Sequence, residues 1–410
     1  MLKTIYKNML RPAGIFALGL AFTFTACQDN QELPNMDLED EQFIRYQNGD
    51  VIPGSYIVVL NPEGISFRKD GSYEGDQSAL RSTANGLLAK YRISEDKIGY
   101  VYGTVIDGFS VRLNSEEFEA IKNDPAIRFI EKDRVISIAQ GNRPGGGGGG
   151  GGESSGQETP WGITRVGGFV NYTGNNVAWV LDSGIELTHP DLNVSTENGF
   201  TAFTTGRDAN FNDLNGHGTH VAGTIAAINN TIGVVGVAAG APVVPIKVLD
   251  SRGSGSYSGV IAGVNWVGSK GKSGDVANMS LGGPVSQALD DAVLAASNKG
   301  IKFVLAAGNS SANANNFSPA RVNGPNIWTI SAMNSSNVFA SFSNFGNPPI
   351  DYCAPGVSIR STWLKGGYNT ISGTSMAAPH AAGVLLLGNA RTSGNVLNDP
   401  DGNPDPIISR

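Results

Sequence analysis

Cysteine is nearly absent: Cys27 and Cys353 are the only two in 410 residues. The chain therefore forms at most one disulfide, and none if Cys27 is used elsewhere. Charge is sparse as well. Charged residues make up 16% of the chain, 29 basic against 36 acidic, for a net charge of −7. That balance lacks the basic footprint of a nucleic-acid binder. Over residues 157–410 the count is 13 basic and 15 acidic, a net of −2, too little to steer a charged partner strongly. Histidine occurs only four times, and with no HExxH pattern and no cysteine pair a zinc shell has no ligand set. The apolar stretch Ala13–Ala26 is 14 residues long, shorter than the roughly 20 a spanning helix needs. No internal repeat is apparent.

What is present is a 40% hydrophobic fraction, enough for a sizeable core, and 55 glycines, about twice the usual share of roughly 7%. Eight of them form one run, Gly145–Gly152, directly after Pro144. Such a run holds no regular conformation and exposes backbone to any protease. At the other end of the chain, Lys3, Lys7 and Arg11 precede the Ala13–Ala26 stretch, which closes on Thr25-Ala26-Cys27. This is the pattern of an export signal. A small residue before a cysteine is similar to a bacterial lipoprotein signal, in which Cys27 becomes the lipidated N-terminus. An ordinary secretory signal with a chance cysteine is the alternative. Both take the protein out of the cytoplasm, secreted or membrane-anchored, and membrane contact is expected only through that lipid.

The chain divides into a signal over 1–27, an acidic tether over 28–52, a small module over 53–140, a Gly-rich linker over 141–156, a large domain over 157–390 and a short tail over 391–410, to which no function is assigned. In the module, SYIVVL (55–60), KIGYVYG (97–103), DGFSVRL (107–113) and AIRFIEKD (126–133) read as strands. Ser78–Lys90 reads as a helix, and Asn114 with Glu117 three residues on is a capping signature that opens a second helix. The order βαββαβ points to an α+β ferredoxin-like fold, which by itself specifies no activity. In the large domain, NNVAWVLD (175–182), PVVPIKVLD (242–250), DVANMSLG (275–282) and IKFVLAAGN (301–309) read as buried strands. Helical stretches at 218–228, 258–269 and 285–299 separate them. Alternation of this kind predicts an α/β fold, a parallel sheet in three layers.

Ligands in such folds gather at the carboxyl ends of strands. There the 175–182 strand delivers Asp182, which alone could equally be a turn cap. GHGTHVAGTIAA (216–227) sets His217 at the edge of a helix, and SGTSMAAPHAAGVLLLG (372–388) sets Ser375 at the start of another. His217 and His220, three apart, would also suit a metal, but the remaining ligands are missing. His189 and His380 read as structural. A serine hydroxyl attacks only after a base removes its proton, and the base needs a carboxylate to orient it. Asp182, His217 and Ser375 supply those three roles in the order Asp, His, Ser. The G-x-S-x-G elbow of α/β-hydrolases is absent, since Ala377 stands where its second glycine belongs.

DSGIELTHPDL (182–192), GHGTHVAGT (216–224) and GTSMAAPH (373–380) resemble the three signature blocks of the subtilisin-like serine proteases. GSGSYSGVIAGVNWV (253–267), NMSLGG (278–283), AAGNSSANANNFSPA (306–320) and SFSNFG (341–346) are similar to the proteinase K branch, so the likeness covers nearly all of 157–390. The resemblance implies a serine endopeptidase of broad specificity acting through an acyl-enzyme. Asp182 would orient His217, His217 would be general base then acid, Ser375 the nucleophile, and Asn309 with the Ser375 N–H the oxyanion donors. An extended peptide would add as a strand between two edges, Gly253, Ser254 and Gly255 on one and Ser280, Leu281 and Gly282 on the other. The module at 53–140, on SYIVVL and on residues 105–138, resembles the inhibitory propeptides of subtilisins. It implies a self-processed zymogen whose segment from Ile136 to Gln140 lies in the cleft, with cleavage between Ala139 and Glu158. Partners are then polypeptide substrates and the chain's own propeptide, with no nucleic acid, on a monomer. No cofactor or metal takes part in the chemistry. Structural calcium is common in such relatives but assignable to no position, because one frequent aspartate position reads Asn334.

Overall fold

The computed structural model describes residues 47–62, 71–138, 156–388 and 390–410. The export signal, Cys27, most of the acidic tether, the glycine run and the expected cleavage region from 139 to 155 lie outside the described residues.

The N-terminal module has strands β1 (Val51–Leu60), β2 (Ile98–Val101), β3 (Gly108–Arg112) and β4 (Ile127–Ser137) and helices α1 (Tyr73–Lys90) and α2 (Ser115–Ile121). Its strands pair antiparallel in the order β4-β1-β3-β2, the ferredoxin-like arrangement the sequence order predicted. α2 starts on the expected capping box: the Asn114 side chain accepts from Glu117 N and the Glu117 carboxylate accepts from Asn114 N, both at 2.9 Å. α1 begins five residues before the expected Ser78, because the Ser72 side chain accepts from Gly75 N and caps the helix there.

Folding also begins earlier than residue 53. Val51 and Ile52 open β1, and the strand is offset by a bulge between Val51 and Tyr56, around Pro53-Gly54. Proline and glycine at that point look like a boundary in sequence and are a kink within one strand.

Ile57 and Val59 alternate along β1 with Val58 and Leu60, and all four are buried. Successive side chains point to opposite faces. Val58 and Leu60 join Leu80, Leu88 and Phe109 in a core under the module's own helices. Ile57 and Val59 join Tyr102, Val105, Ile136, Tyr257, Ile261 and Leu289 in a core shared with the large domain. SYIVVL is therefore an unbroken apolar run because both faces of its sheet are covered.

The large domain contributes β5 (Ala178–Asp182), β6 (Phe200–Thr201), α3 (His217–Ala226), β7 (Val243–Lys247), β8 (Ser254–Ser256), α4 (Tyr257–Lys270), β9 (Val276–Met279), α5 (Gln287–Ser297), β10 (Lys302–Ala306), β11 (Ile327–Met333), β12 (Ile350–Pro355), α6 (Thr374–Leu386), β13 (Arg391–Asn395) and β14 (Pro406–Ser409). Nine of these strands form one sheet in the order β13-β14-β12-β11-β10-β9-β5-β7-β6. Pairing is parallel throughout except between β13 and β14. The four expected strands are the adjacent group β10-β9-β5-β7. Trp179 and Leu181 face one core with α4 and α5, while Ala178 and Val180 face the other with α3 and α6, which makes the three layers. The segment after Ala390 is more than a tail. Ile407 and Ile408 are buried, and β14 pairs with β12 at the sheet edge. Cys353 lies in β12, fully buried, where burial pushes its thiol well up.

Candidate active site

β5 is buried at every position and ends on Asp182, whose carboxylate needs partners to remain there. Ser183 N donates to Asp182 Oδ1 at 2.7 Å, and His217 Nδ1 lies 2.8 and 2.9 Å from the two carboxylate oxygens. A carboxylate only accepts, so Nδ1 carries the proton and the basic lone pair is on Nε2. The approach of α3 to the end of β5 depends on Gly218: a Cβ there would collide with the Gly184 carbonyl and come within 3.2 Å of Asp182 Cβ.

Burial by itself lowers the imidazole pKa, but the charge and hydrogen bond of Asp182, with Asp213 behind it, more than reverse this and leave His217 raised. Asp213 was not singled out in the sequence. It is buried and accepts from Asn215 N, Gly216 N, Thr219 N, the Ser183 hydroxyl and the Thr219 hydroxyl. Its spacing four residues before His217 is the only signal it leaves. Lys247 is a second such group. It is fully buried under the site and donates to the carbonyls of Ser183 at 2.7 Å and Leu249 at 2.9 Å, with Asp208 at 3.2 Å.

Ser375 is the second residue of α6, whose core side packs against α3 through Met376, Ala377, Val221 and Ala222. Its hydroxyl donates to the Ser280 carbonyl at 3.1 Å, the Ser280 hydroxyl donates to the Ser375 carbonyl at 2.8 Å, and Asn278 Nδ2 holds the Ser280 hydroxyl at 2.9 Å. Asn309 Oδ1 accepts from Thr374 N and Thr374 Oγ1, both at 2.9 Å. That turns Nδ2 toward the serine: a point where Gly373 would carry a Cβ lies 3.1 Å from Asn309 Nδ2 and 3.7 Å from Ser375 N. The Asn309 amide nitrogen and the Ser375 N–H thus border one small space.

The two peptide-edge segments flank the end of the N-terminal module. β8 pairs antiparallel with β4, Ser254 opposite Ser137, Gly255 opposite Ile136 and Ser256 opposite Val135. Ile138 N donates to Gly253 O at 3.1 Å. On the other edge Ser137 bridges Gly282, whose N–H reaches Ser137 O at 3.4 Å. Leu281 is buried in the shared core. Two carboxylates hold the module down. Asp133 accepts from Ser258 N at 3.1 Å and the Ser258 hydroxyl at 2.5 Å at the start of α4, and Glu131 accepts from the Ser286 hydroxyl at 2.6 Å and from Gln287 N and Ala288 N at 3.1 Å at the start of α5. Each meets the positive end of a helix dipole.

His189, His220 and His380 are buried and hydrogen-bonded to the Gly367, Ile359 and Met376 carbonyls. Oxygen atoms gather instead at residues 228–234. Gln157 Nε2 stands 2.7 Å from Ile228 O and 3.3 Å from both Asn230 Oδ1 and Val234 O, with the buried Asp191 carboxylate bonded to Asn230 Nδ2 and Val234 N. Asn230 Oδ1 accepts from Ile232 N at 2.8 Å as well, and together these side-chain and carbonyl oxygens are the ligand type a hard cation takes.

A carboxylate-bound histidine, a serine at a helix start and paired N–H donors, at the carboxyl ends of a parallel sheet, define a serine hydrolase. The family model of the subtilase family matches residues 173–393, and that of peptidase inhibitor I9 matches residues 55–139. The alkaline serine exoprotease A of Vibrio alginolyticus is 40% identical over 406 residues, covering 94% of this chain and 70% of that protein. The extracellular serine proteinase of Thermus sp. (strain Rt41A) is 34% identical over 397 residues, 92% of this chain and 90% of that one. Among solved structures, a cold adapted subtilisin-like serine proteinase is 39% identical with a TM-score of 0.53, covering 61% of this chain and 97% of that chain. The chain belongs to the subtilase family: it is a subtilisin-like serine protease carrying an I9 inhibitor propeptide.

Proposed function

We propose that the protein is the self-processing zymogen of an exported serine endopeptidase, with Asp182, His217 and Ser375 as its triad. The observation that carries the reading is the two-oxygen seat of His217 Nδ1 on Asp182, which fixes the tautomer that leaves Nε2 free to take a proton. In the reaction Ser375 Oγ leaves its bond to the Ser280 carbonyl, gives its proton to His217 and attacks the scissile carbonyl. The oxyanion is received by Asn309 Nδ2 and Ser375 N, His217 protonates the leaving amine, and water then cleaves the acyl-enzyme by the reverse proton path. Substrates add as a strand between residues 253–255 and 280–282 with recognition chiefly through backbone. In the zymogen Val135–Ile138 fill that position.

Processing falls between Ala139 and Glu158, and export proceeds through the N-terminal signal, with Cys27 as lipid anchor. Cleavage would then separate the peptidase from the membrane. A calcium ion held by Asp191, Asn230, Gln157 and the 228 and 234 carbonyls would brace the loop and supply no chemistry. The test is intact mass of the wild-type chain and of Ser375→Ala, each with and without a serine-reactive phosphonate. The expected result is a wild type cut between 139 and 158 that gains one label, and a variant that shows neither. Two uncut, unlabelled chains would overturn the catalytic reading in favour of a peptide-binding protein.

A further inference from the structure

The residues just ahead of β1 belong to neither matched region, since the inhibitor match begins at residue 55. They form a turn in which Gln47 N donates to Asp50 Oδ2 at 2.7 Å and Asp50 N to Gln47 O at 3.1 Å. Gly49 N donates to Val135 O at 2.8 Å, Val135 N to Asp50 O at 2.9 Å, and Arg134 Nη1 to Gly49 O at 2.8 Å. The turn thus extends the β1 side of β4, opposite β8, beside the stretch that enters the cleft. From there it reaches the enzyme. Asn48 Nδ2 donates to Gly282 O at 2.9 Å, and its Oδ1 lies 2.9 Å from the point where Gly283 would carry a Cβ. Gly49 sits at φ +90°, and a Cβ on it would stand 2.7 Å from Pro284 Cγ.

We propose that Gly282–Pro284 is a separate docking site for this Asn-Gly turn, so that residues 47–50 are a working part of the inhibitor. The chemistry is specific. Gly282 spends its N–H on the strand in the cleft and its carbonyl on the Asn48 amide, while the Pro284 ring lies too close to residue 49 for a side chain there. A peptide substrate lying between 253–255 and 282 uses the first of these groups and lacks the second strand that carries Asn48. The turn therefore gives the chain's own propeptide a hold that no substrate has, and it keeps the cleaved propeptide in place longer. This rests on the protease reading above.

The experiment follows full-length wild type, Asn48→Ala, Gly49→Val and, as a control on the outer surface of the same module, Glu116→Gln. Processing is monitored by intact mass, and hydrolysis of a chromogenic peptide is recorded after dilution, per processed molecule. Loss of one exposed hydrogen bond shortens the latent phase about threefold in Asn48→Ala, and Gly49→Val shortens it further. Glu116→Gln keeps the wild-type latency. The same substitutions are made in Ser375→Ala, where hydrogen exchange at Val135, whose N–H donates to Asp50 O, is expected to speed up at least as much. Unchanged latency and unchanged exchange in both turn variants would overturn the proposal. An inactive wild type would defeat the protease reading instead, and the exchange measurement would still decide the turn.

Discussion

Asp133→Ala tests how the propeptide is held. The carboxylate is 1% exposed and accepts two bonds from Ser258 and one from the Ser55 hydroxyl at 3.1 Å. Ser55 belongs to the propeptide, so only the Ser258 pair is lost on separation. Hydrogen bonds to a charged group contribute about 1.5–3 kcal/mol each, and a helix start adds about 0.3–1 kcal/mol. After the carboxylate's own desolvation is set against these gains, removal weakens the complex by about 3 kcal/mol, roughly 150-fold in the dissociation constant. The assay is the rate at which activity emerges from processed, diluted complex, and Glu131→Ala at α5 is expected to behave alike. The reasoning also fixes a pH dependence. Burial first, opposed by these hydrogen bonds, raises the Asp133 and Glu131 carboxyls above their ordinary 3.8 and 4.5. The complex then holds these protons more tightly than the separated parts do. The resulting stabilisation is complete below the ordinary carboxylate range and is lost as pH rises through the raised values, so release is faster at neutral than at acid pH. Release from Asp133→Ala at the wild-type rate, with the same pH profile, would refute the argument.

Two further outcomes are expected. Asn309→Ala loses about 10²- to 10³-fold in kcat with little change in KM, the known effect of removing such a donor in a subtilisin; steady-state kinetics decide it, and an equal rise in KM would move Asn309 to substrate binding. A chelator lowers the melting temperature of the wild-type enzyme, by an amount corresponding to about 2.7 kcal/mol when calcium stands at a hundred times its dissociation constant, and Asp191→Asn abolishes the difference. Identical melting curves with and without chelator would remove the cation from the 228–234 loop.

The strands and helices that carry chemistry were legible because each is buried and regular. The four apolar runs had no alternative but a parallel sheet, and the polar residue at the end of 175–182 stood out against them. Groups that act across domains were not. Glu131-Lys132-Asp133 reads as an ordinary charged strand end. Only their hydrogen bonds to Ser258 and to residues 286–288 show that the two acidic residues, two apart, are directed at helix ends while Lys132 is exposed. Lys247 was hidden for the opposite reason, since a lysine inside PVVPIKVLD suggests a strand edge rather than a fully buried ammonium with three oxygen partners. β13 and β14 escaped notice because DPDGNPDP separates them with turn formers and each is five residues or fewer. The other partner of β14, β12, is distant in the chain.

The inhibitor's four strands and the enzyme's β8 form one five-stranded sheet. The proposed cut, anywhere from 139 to 158, would leave every hydrogen bond of that sheet in place, so cleavage and activation would run on separate clocks. On the proposed self-processing reading the slower one would be escape of the first few propeptides, if each freed protease then digests the propeptides of its neighbours. In a population, activity should rise sigmoidally, with a delay that a trace of mature enzyme abolishes; a progress curve that is exponential from the start and indifferent to seeding would contradict this. The timing of activation would then be a property of the crowd of molecules and of its density, rather than of any single chain.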